Sequence, residues 1–342
     1  MRKATIPDIA RCAGVSTATV DRALNGRRGV SAANRHRVLK AAQELGALPT
    51  EGMVSLPSRP ARLVFLIPFG QNSFMRDMAR SITNLSTGLP LVASCNIVTM
   101  DGIGPDALDR ALDAVALNTH GVGIVTTDEP RSRAAIGRLC ESGVRVVTIA
   151  SDLPDTPRSS YVGVDNRIAG RTAGQLMGML ARGRFGTVAV ILGSRRFHGH
   201  SERVRGFREH LSEQLPNLKI APAIETGEDN RRSNAATVSL LRKLPDLVGI
   251  YCVGASRAGV VEAFEGLGAR RPCLIMHDLT DSSRDWLSRQ LVDVVIDQNP
   301  RLVGEQAVIH LLGSIASSAP LLSLKPLEPR IILRENIPVG AL

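Results

Sequence analysis

Seven short segments of this chain combine amide, carboxylate, hydroxyl and guanidinium side chains that suit hydrogen bonding to a small polar molecule. Each directly follows a run of apolar residues, and two of them carry a phenylalanine. The segments are residues 71–74, 126–128, 151–152, 194–197, 254–257, 277–278 and 297–299. Carboxylates and amides bond neighbouring hydroxyls, and an aromatic face covers the apolar side of a ring. The set predicts a site for a sugar-sized polyol, although single polar strand-end loops are common in α/β proteins.

The scaffold that would bring these segments together is visible in the alternation of apolar runs and amphipathic stretches. The apolar runs are residues 63–67, 91–98, 122–126, 144–149, 188–192, 248–253, 273–276 and 292–296. The amphipathic stretches are residues 106–117, 131–141, 168–180, 203–215, 230–244, 257–267 and 302–315. This alternation predicts parallel sheets covered by helices. Ligands of such sheets bind beyond the carboxyl ends of the strands, where the polar segments lie.

Positive charge is concentrated at the N-terminus. Residues 1–60 contain ten Lys and Arg against four Asp and Glu, so six of the ten net positive charges of the chain fall there. Such a concentration is typical of a module that binds phosphates.

The same N-terminal segment has the pattern of a helix-turn-helix. Ile6, Ile9, Ala10 and Ala13 share one helical face, and Gly14 breaks the helix. Further signals are an N-cap at Ser16, a second apolar face, a stop at Asn25-Gly26, and a third helix capped by Ser31. The second face is formed by Val20, Ala23 and Leu24, and the third helix supplies Val38, Ala41, Ala42 and Leu45. Two short helices joined by a glycine turn can place the second in a DNA major groove, while a generic three-helix bundle is the alternative.

Composition bounds the rest of the chain. At 342 residues it is long enough for two or three domains. The five cysteines, Cys12, Cys95, Cys140, Cys252 and Cys273, are odd in number and widely spaced, which predicts buried thiols in a reducing compartment. No apolar run approaches the ~18–20 residues of a membrane span, so we expect a cytoplasmic protein without a membrane partner.

The segment from Thr5 to Gly26, with Val30-Ser31 and Leu48-Pro49 beyond it, resembles the N-terminal signature of the lactose-repressor/galactose-repressor (LacI/GalR) family of bacterial transcription regulators. The resemblance implies that Thr17, Ala18 and Arg22 read base edges of double-stranded operator DNA. It also implies phosphate contacts from Thr5, Ser16, Thr19, Asn25 and Ser31. Asp21 departs from the small polar residue usual in the family. A carboxylate there would repel phosphate unless it accepts from a cytosine amino group or pairs with an arginine.

The resemblance continues into the body of the chain. Its landmarks are Asn72-x-Phe74, residues 161–166, residues 201–207 and Asp297-Gln298. It implies an all-α helix-turn-helix DNA-binding domain (residues 1–47), a hinge or linker (48–61), and an α/β two-lobed type I periplasmic-binding-protein-like domain for effector binding and dimerisation (62–342). The effector contacts that it implies are Asn72, Phe74, Asp128, Asp152, Arg203, Asp278 and Gln298. Arg203, placed at the opening of a helix, would clamp a hydroxyl or carboxylate. Residues 253–258 lack the Asn or Asp usual after that strand.

The hinge is the least typical part of the resemblance. In the family, this stretch forms a helix on operator DNA and inserts a leucine into the minor groove, and Leu56 matches that leucine. An apolar wedge of this kind would unstack a base step and bend the duplex. Gly52 and Val54 make residues 50–56 a poor helix former, so a plain flexible linker is the alternative.

The function that we expect is that of a homodimeric repressor controlled by a sugar, polyol or sugar-acid effector, with no catalytic residues, cofactor or metal. The alternative is an α/β hydrolase in which Ser256, within Gly254-Ala-Ser-Arg-Ala258, is the nucleophile, followed by Asp278 and His310. Ala258 stands where the nucleophile motif has glycine, which weakens that alternative. His198-x-His200 lacks the spacing of paired ligands on one helical face and is interpreted as a solvated loop.

Overall fold

Three helices form the N-terminal module: α1 (Ile6–Ala13), α2 (Thr17–Leu24) and α3 (Ala32–Glu44). The computed structural model describes residues 4–24, 29–45, 57, 59–68, 72–265, 267–268, 271–316 and 327–338. Gly14 ends α1 in the left-handed region with φ of 62°, which a glycine adopts without steric cost. Ser16 and Ser31 accept hydrogen bonds at 3.2 Å from the backbone N–H groups of Thr19 and Asn34. The turn and both predicted caps are therefore confirmed.

The core of this module is small and aliphatic. It consists of Ile9, Ala10, Ala13, Val20, Ala23, Val38, Ala41 and Ala42. Two predicted members are wrong, because Ile6 and Leu45 are 41% and 39% exposed. Each stands at the outer end of its helix, beyond the turns that pack together.

The first lobe of the larger domain is a parallel sheet in the order β2-β1-β3-β4-β5. Its strands are β1 (Ala61–Pro68), β2 (Val92–Met100), β3 (Gly121–Ile124), β4 (Arg145–Ile149) and β5 (Ser160–Val162). The helices between them are α4 (Ser73–Gly88), α5 (Pro105–Asp113) and α6 (Pro130–Glu141). Residues of β1 and β3 are buried on both faces, as expected for a parallel sheet covered by helices.

The second lobe is a sheet in the order β12-β11-β10-β9-β6-β7, with β8 also paired to β6. The strands are β6 (Gly186–Leu192), β7 (Leu218–Ile220), β8 (Ile224–Glu225), β9 (Leu247–Val253), β10 (Cys273–His277), β11 (Val294–Asp297) and β12 (Arg330–Ile332). The helices are α7 (Asn166–Ala181), α8 (His198–Gln214), α9 (Asn230–Lys243), α10 (Arg257–Glu262) and α11 (Asp281–Ser288). All pairings are parallel except that of β12 with β11.

The chain passes between the lobes three times. After β5 it enters α7, which packs on the second lobe. After β11 it returns as α12 (Pro300–Ala316), whose Val303, Ala307 and Leu311 join the core of the first lobe. It then comes back to the second lobe, where β12 pairs with β11.

All eight predicted apolar runs correspond to strands, but four short strands, β5, β7, β8 and β12, were not predicted. The helices α4 and α11 were not predicted either. The predicted helices at 106–117 and 257–267 end early, at Asp113 and Glu262, whereas the one at 203–215 begins early, at His198.

The cysteine prediction is right only for Cys252, which is fully buried in β9. Cys12 is exposed on the outer side of α1, and Cys95, Cys140 and Cys273 are half-buried. These three lie on the edge strand β2 or near the end of an element, where packing is incomplete.

Candidate functional site

A small cavity lies between the two lobes, and five of the seven predicted effector contacts line it. They are Asn72, Phe74, Arg203, Asp278 and Gln298. Phe74 and Phe197 supply apolar surface, and both are almost fully buried. Asn72 is the N-cap of α4, with its Oδ1 accepting from the backbone N–H of Met75 at 3.3 Å. The structure therefore brings together polar groups from both lobes, as the strand-end pattern predicted.

Arg203 is the cation that the cavity offers to a ligand. It lies in the second turn of α8 rather than at its opening, so that detail of the prediction is wrong. The side chain is 3% exposed, and its Nε donates to Oδ1 of Asn166 at 2.7 Å. No acceptor among the described residues bonds its two terminal nitrogens. A Cβ at Gly170 would lie 2.0 Å from the carbonyl oxygen of Arg203, so the absence of a side chain there lets α7 approach α8.

Asp278 and Gln298 form the acceptor side of the cavity. Asp278 has a left-handed backbone, with φ of 67°. Its Oδ1 accepts from Nε2 of Gln298 at 2.6 Å, and its Oδ2 accepts from Nη1 of Arg257 at 3.0 Å. Within the described residues, Oε1 of Gln298 is buried without a hydrogen-bond partner. A buried acceptor of this kind is costly unless a ligand or water donates to it.

Glu228 is a functional candidate that the sequence reasoning missed. Its Oε2 accepts from the backbone N–H of Ala255 at 2.5 Å, and its Oε1 lies 3.8 Å from Nδ1 of His200. Burial raises the pKa of the Glu228 carboxyl to about 7, although the Ala255 N–H opposes this shift. The carboxyl therefore exchanges a proton near neutral pH.

His200 also lines the cavity, so the interpretation of His198-x-His200 as a solvated loop is wrong. Both residues lie in the first turn of α8, and the side chain of His200 is 15% exposed. Burial and the nearby charge of Arg203 lower the pKa of His200 to about 3. Its Nδ1 lies 3.1 Å from the carbonyl oxygen of Ser194 and 3.5 Å from the Ser194 backbone nitrogen, and the shorter contact favours a neutral ring with the proton on Nδ1.

Asp128 and Asp152 do not line the cavity with the other predicted contacts. Both oxygens of Asp128 accept from Arg133, at 2.7 and 3.0 Å. Both oxygens of Asp152 accept from Arg158 at 2.5 Å, and these bonds, with one from Thr148, lower the pKa of Asp152 although burial opposes the shift. Ser151, next to Asp152, lines the cavity instead.

The hydrolase alternative is wrong on geometry. The hydroxyl of Ser256 is buried and bonds the Thr226 hydroxyl at 2.8 Å. His310 lies on α12 of the first lobe and bonds the hydroxyl of Ser160 at 2.9 Å. Asp278 bonds Arg257 and Gln298, so the three residues do not form a catalytic triad.

The described DNA-contact candidates lie on the surface of the N-terminal module. Thr17, Ala18 and Arg22 are exposed on α2, and Thr19 is half-buried beside them. Thr5, Ser16 and Ser31 are exposed at the starts of the three helices. The predicted contacts Asn25 and Leu56, and most of the predicted hinge, lie outside the described residues.

The family of this chain follows from comparison with known proteins. Residues 5–49 match the bacterial regulatory proteins of the LacI family, and residues 63–312 match the periplasmic binding protein domain. The HTH-type transcriptional regulator IpsA of Corynebacterium glutamicum is 24% identical over 338 residues, 91% of each chain. DegA of Bacillus subtilis is 25% identical over 217 residues, 62% of this chain and 61% of DegA. The chain belongs to the LacI family and is a transcriptional regulator with a periplasmic-binding-protein domain.

Solved structures agree on the fold of the larger domain. GanP, a glucose-galactose binding protein from Geobacillus stearothermophilus, superposes with a TM-score of 0.74 at 21% identity, covering 82% of this chain and all of GanP. A solute-binding protein from Burkholderia graminis, in complex with D-arabinose, superposes with a TM-score of 0.74 at 22% identity. The match covers 82% of this chain and 97% of that protein. In the part of the chain that the structure describes, no helix is long and apolar enough to span a membrane.

Proposed function

We propose that this regulator is a homodimer whose affinity for operator DNA is set by a sugar-like effector held between its lobes. Two helix-turn-helix units on a twofold axis would read the half-sites of a palindromic operator. The residues proposed to read bases are Thr17, Ala18 and Arg22. Phosphate contacts are proposed for Thr5, Ser16, Thr19, Asn25 and Ser31, and minor-groove insertion for Leu56.

The observation that carries the effector proposal is the presence of unused donors and an unused acceptor in the same cavity. The terminal nitrogens of Arg203 can donate to ligand oxygens, while Oε1 of Gln298 is a buried acceptor awaiting a donor. A polyol supplies both, since each hydroxyl donates and accepts. The similarity to GanP, a glucose-galactose binding protein, and to the Burkholderia protein in complex with D-arabinose supports a carbohydrate ligand.

The proposed effector contacts are Asn72, Phe74, Ser151, His200, Arg203, Glu228, Asp278 and Gln298. Asp128 and Asp152 are left out because they do not line the cavity, and an arginine bonds both oxygens of each. Closing of the lobes on the effector would alter the geometry of the N-terminal modules, a coupling worth about 1–3 kcal/mol in typical allosteric proteins.

A thermal-shift panel of sugars, polyols and sugar acids tests the effector proposal. A ligand present at about 100 times its Kd stabilises the folded protein by about 2.7 kcal/mol. Arg203→Ala should abolish the shift, whereas Arg205→Ala, an exposed arginine on the same helix, should retain it. The absence of any shift, or an unchanged shift in Arg203→Ala, would contradict the proposal.

A DNA-binding assay tests the proposal that α2 reads operator DNA. Arg22→Ala should weaken binding to operator DNA by about tenfold, since a base contact is worth roughly 1–3 kcal/mol. The control Arg80→Ala removes an exposed arginine on α4 and should leave operator affinity unchanged. Sedimentation equilibrium checks the dimer. Equal affinity of Arg22→Ala and wild type for operator would count against α2 as the reading helix.

A further inference from the structure

The interlobe cleft continues beyond the cavity that Arg203 lines. That inner chamber has a volume of only about 50 Å³, and next to it lies an outer chamber of about 350 Å³. The two chambers meet at Asn72, Glu228 and Ala255, which line both. Pockets for small molecules usually measure about 300–1,000 Å³, so the inner chamber alone is too small, whereas the outer chamber lies within this range.

Small residues keep the two chambers in contact. Gly254 and Ala255 follow β9 where they meet, and neither projects a long side chain into the cleft. The Glu228 carboxyl lies against this turn: a Cβ at Gly193 would stand 1.7 Å from its Oε1, and a Cβ at Gly254 would stand 2.8 Å away. Glu228 is therefore fixed at the boundary and presents its carboxyl to both chambers.

The outer chamber is polar but offers no unpaired cation among the described residues that line it. Of the lining residues that the structure describes, Arg257 is the only basic one, and it is neutralised by Asp278 at 3.0 Å. Hydroxyl and amide groups of Ser73, Asn230 and Ser282 form part of the wall. An anionic group placed here would face the Glu228 carboxyl. The lining therefore favours a neutral, hydroxyl-bearing group.

Trp286 adds an aromatic surface to this wall. It lies on α11, is half-buried, and is the single tryptophan of the chain. Aromatic rings pack against the apolar face of a sugar ring while neighbouring amides and hydroxyls bond its edge. The outer chamber thus has both kinds of contact that a second sugar unit needs.

We propose that the outer chamber is a second carbohydrate subsite, so that the effector is a neutral sugar of at least two units. One end of the sugar bonds Arg203 and Gln298 in the inner chamber, and the rest passes Ala255 and packs beside Trp286. This inference rests on the proposed function, because it assigns the length of the same effector.

The test uses the full chain and pairs of neutral sugars: glucose with maltose and cellobiose, galactose with lactose and melibiose, arabinose with arabinobiose. Calorimetry gives Kd for each, and Trp286 fluorescence reports occupation of the outer chamber. We expect at least one disaccharide to bind tenfold or more tightly than its monosaccharide and to shift the tryptophan emission.

Ser282→Phe fills the outer chamber from an exposed position on α11, and Ser288→Phe places the same ring at the other end of that helix, outside the chamber. Ser282→Phe should remove the tenfold gain, while Ser288→Phe should leave it unchanged. Monosaccharide binding with no gain from a second unit, or a gain that survives in Ser282→Phe, overturns the second subsite alone. No binding of any sugar, polyol or sugar acid overturns the proposed function with it.

Discussion

Asp128 and Arg196 stand on opposite lobes, and the backbone N–H of Asp128 donates a hydrogen bond to the carbonyl oxygen of Arg196 at 2.7 Å. Beside this bond, Nε of Arg196 lies 3.4 Å from Oε1 of Glu129, and Nδ1 of His198 lies 3.8 Å from Oδ2 of Asp128. We call these four residues the interlobe clasp. It joins the loop after β3, in the first lobe, to the loop after β6 and the first residue of α8, in the second.

Arg196→Ala should weaken effector binding two- to fivefold, because exposed ion pairs contribute roughly 0.2–1 kcal/mol and this one is made between the lobes. Calorimetry with the sugar that gives the largest thermal shift measures the change. Arg195→Ala is the matched control, since Arg195 pairs with Glu225 inside the second lobe. The difference between the two variants should shrink at high salt. Equal Kd values for both variants at low salt would show that the clasp does not hold the closed cleft.

Glu228 should make stability fall as pH rises. The folded pKa of about 7 exceeds the ordinary value of 4.5, so between these values the folded chain keeps a proton that the unfolded chain has lost. The difference in bound protons lowers the free energy of unfolding by up to about 3 kcal/mol once the pH has risen above 7. Glu228→Gln should therefore gain stability relative to wild type as pH is raised from about 5 to 8.

Urea unfolding at several pH values measures this difference. The comparison with wild type matters because His200, whose pKa is lowered by burial, contributes the opposite slope on the acid side. Glu335→Gln, at an exposed carboxyl, is the control, and its stability should change with pH in the same way as that of wild type. A constant difference between Glu228→Gln and wild type across the range would contradict the raised pKa.

Gly170→Ala should destabilise the protein by several kcal/mol, although alanine is the better helix former by about 1 kcal/mol. The added Cβ would lie 2.0 Å from the backbone carbonyl oxygen of Arg203, so α7 and α8 must separate. Gly137→Ala, on α6 with nothing within 4 Å of its Cβ, should instead stabilise by about 0.5–1 kcal/mol. Thermal unfolding checks both, and equal melting temperatures for the two variants would refute this packing argument.

Tyr251→Phe should destabilise the second lobe by about 1–3 kcal/mol, because it leaves the buried Nε2 of His277 without a hydrogen-bond partner. The Tyr251 hydroxyl and Nε2 of His277 are 2.7 Å apart, and both side chains are fully buried. His277→Leu in the Tyr251→Phe background should recover part of the loss, since it removes the stranded polar group. If the double variant is less stable than Tyr251→Phe alone, the destabilisation comes from altered packing rather than from the lost hydrogen bond.

The long strands could be predicted from the sequence, but short edge strands could not. Strands such as β6 and β9 are mostly runs of buried aliphatic residues, and such runs are recognisable in the sequence. A strand of two or three residues, such as β8, has too few positions to show a pattern and is set by its pairing with β6. Because β8 was missed, the loop that follows it, with Glu228, was not recognised as a strand end.

Strand-end carboxylates illustrate a second limit. Asp128, Asp152 and Asp278 look alike in sequence, yet arginines occupy both oxygens of the first two, whereas Asp278 lines the cavity. The partners Arg133 and Arg158 follow five and six residues later, and their orientation depends on the loop between. Spacing alone therefore cannot tell a carboxylate that lines the cavity from one that pairs with an arginine away from it.

The return of the chain through α12 and β12 means that no single contiguous stretch of the gene encodes either lobe. A fragment ending after β11 would lack the helix that covers the first sheet and the strand that borders β11, so both lobes would be left open. Cutting the gene there should yield two insoluble pieces that recover only when co-expressed. Exchange of one lobe between two genes would require two separate segments to be replaced together, which favours inheritance of the pair as a unit.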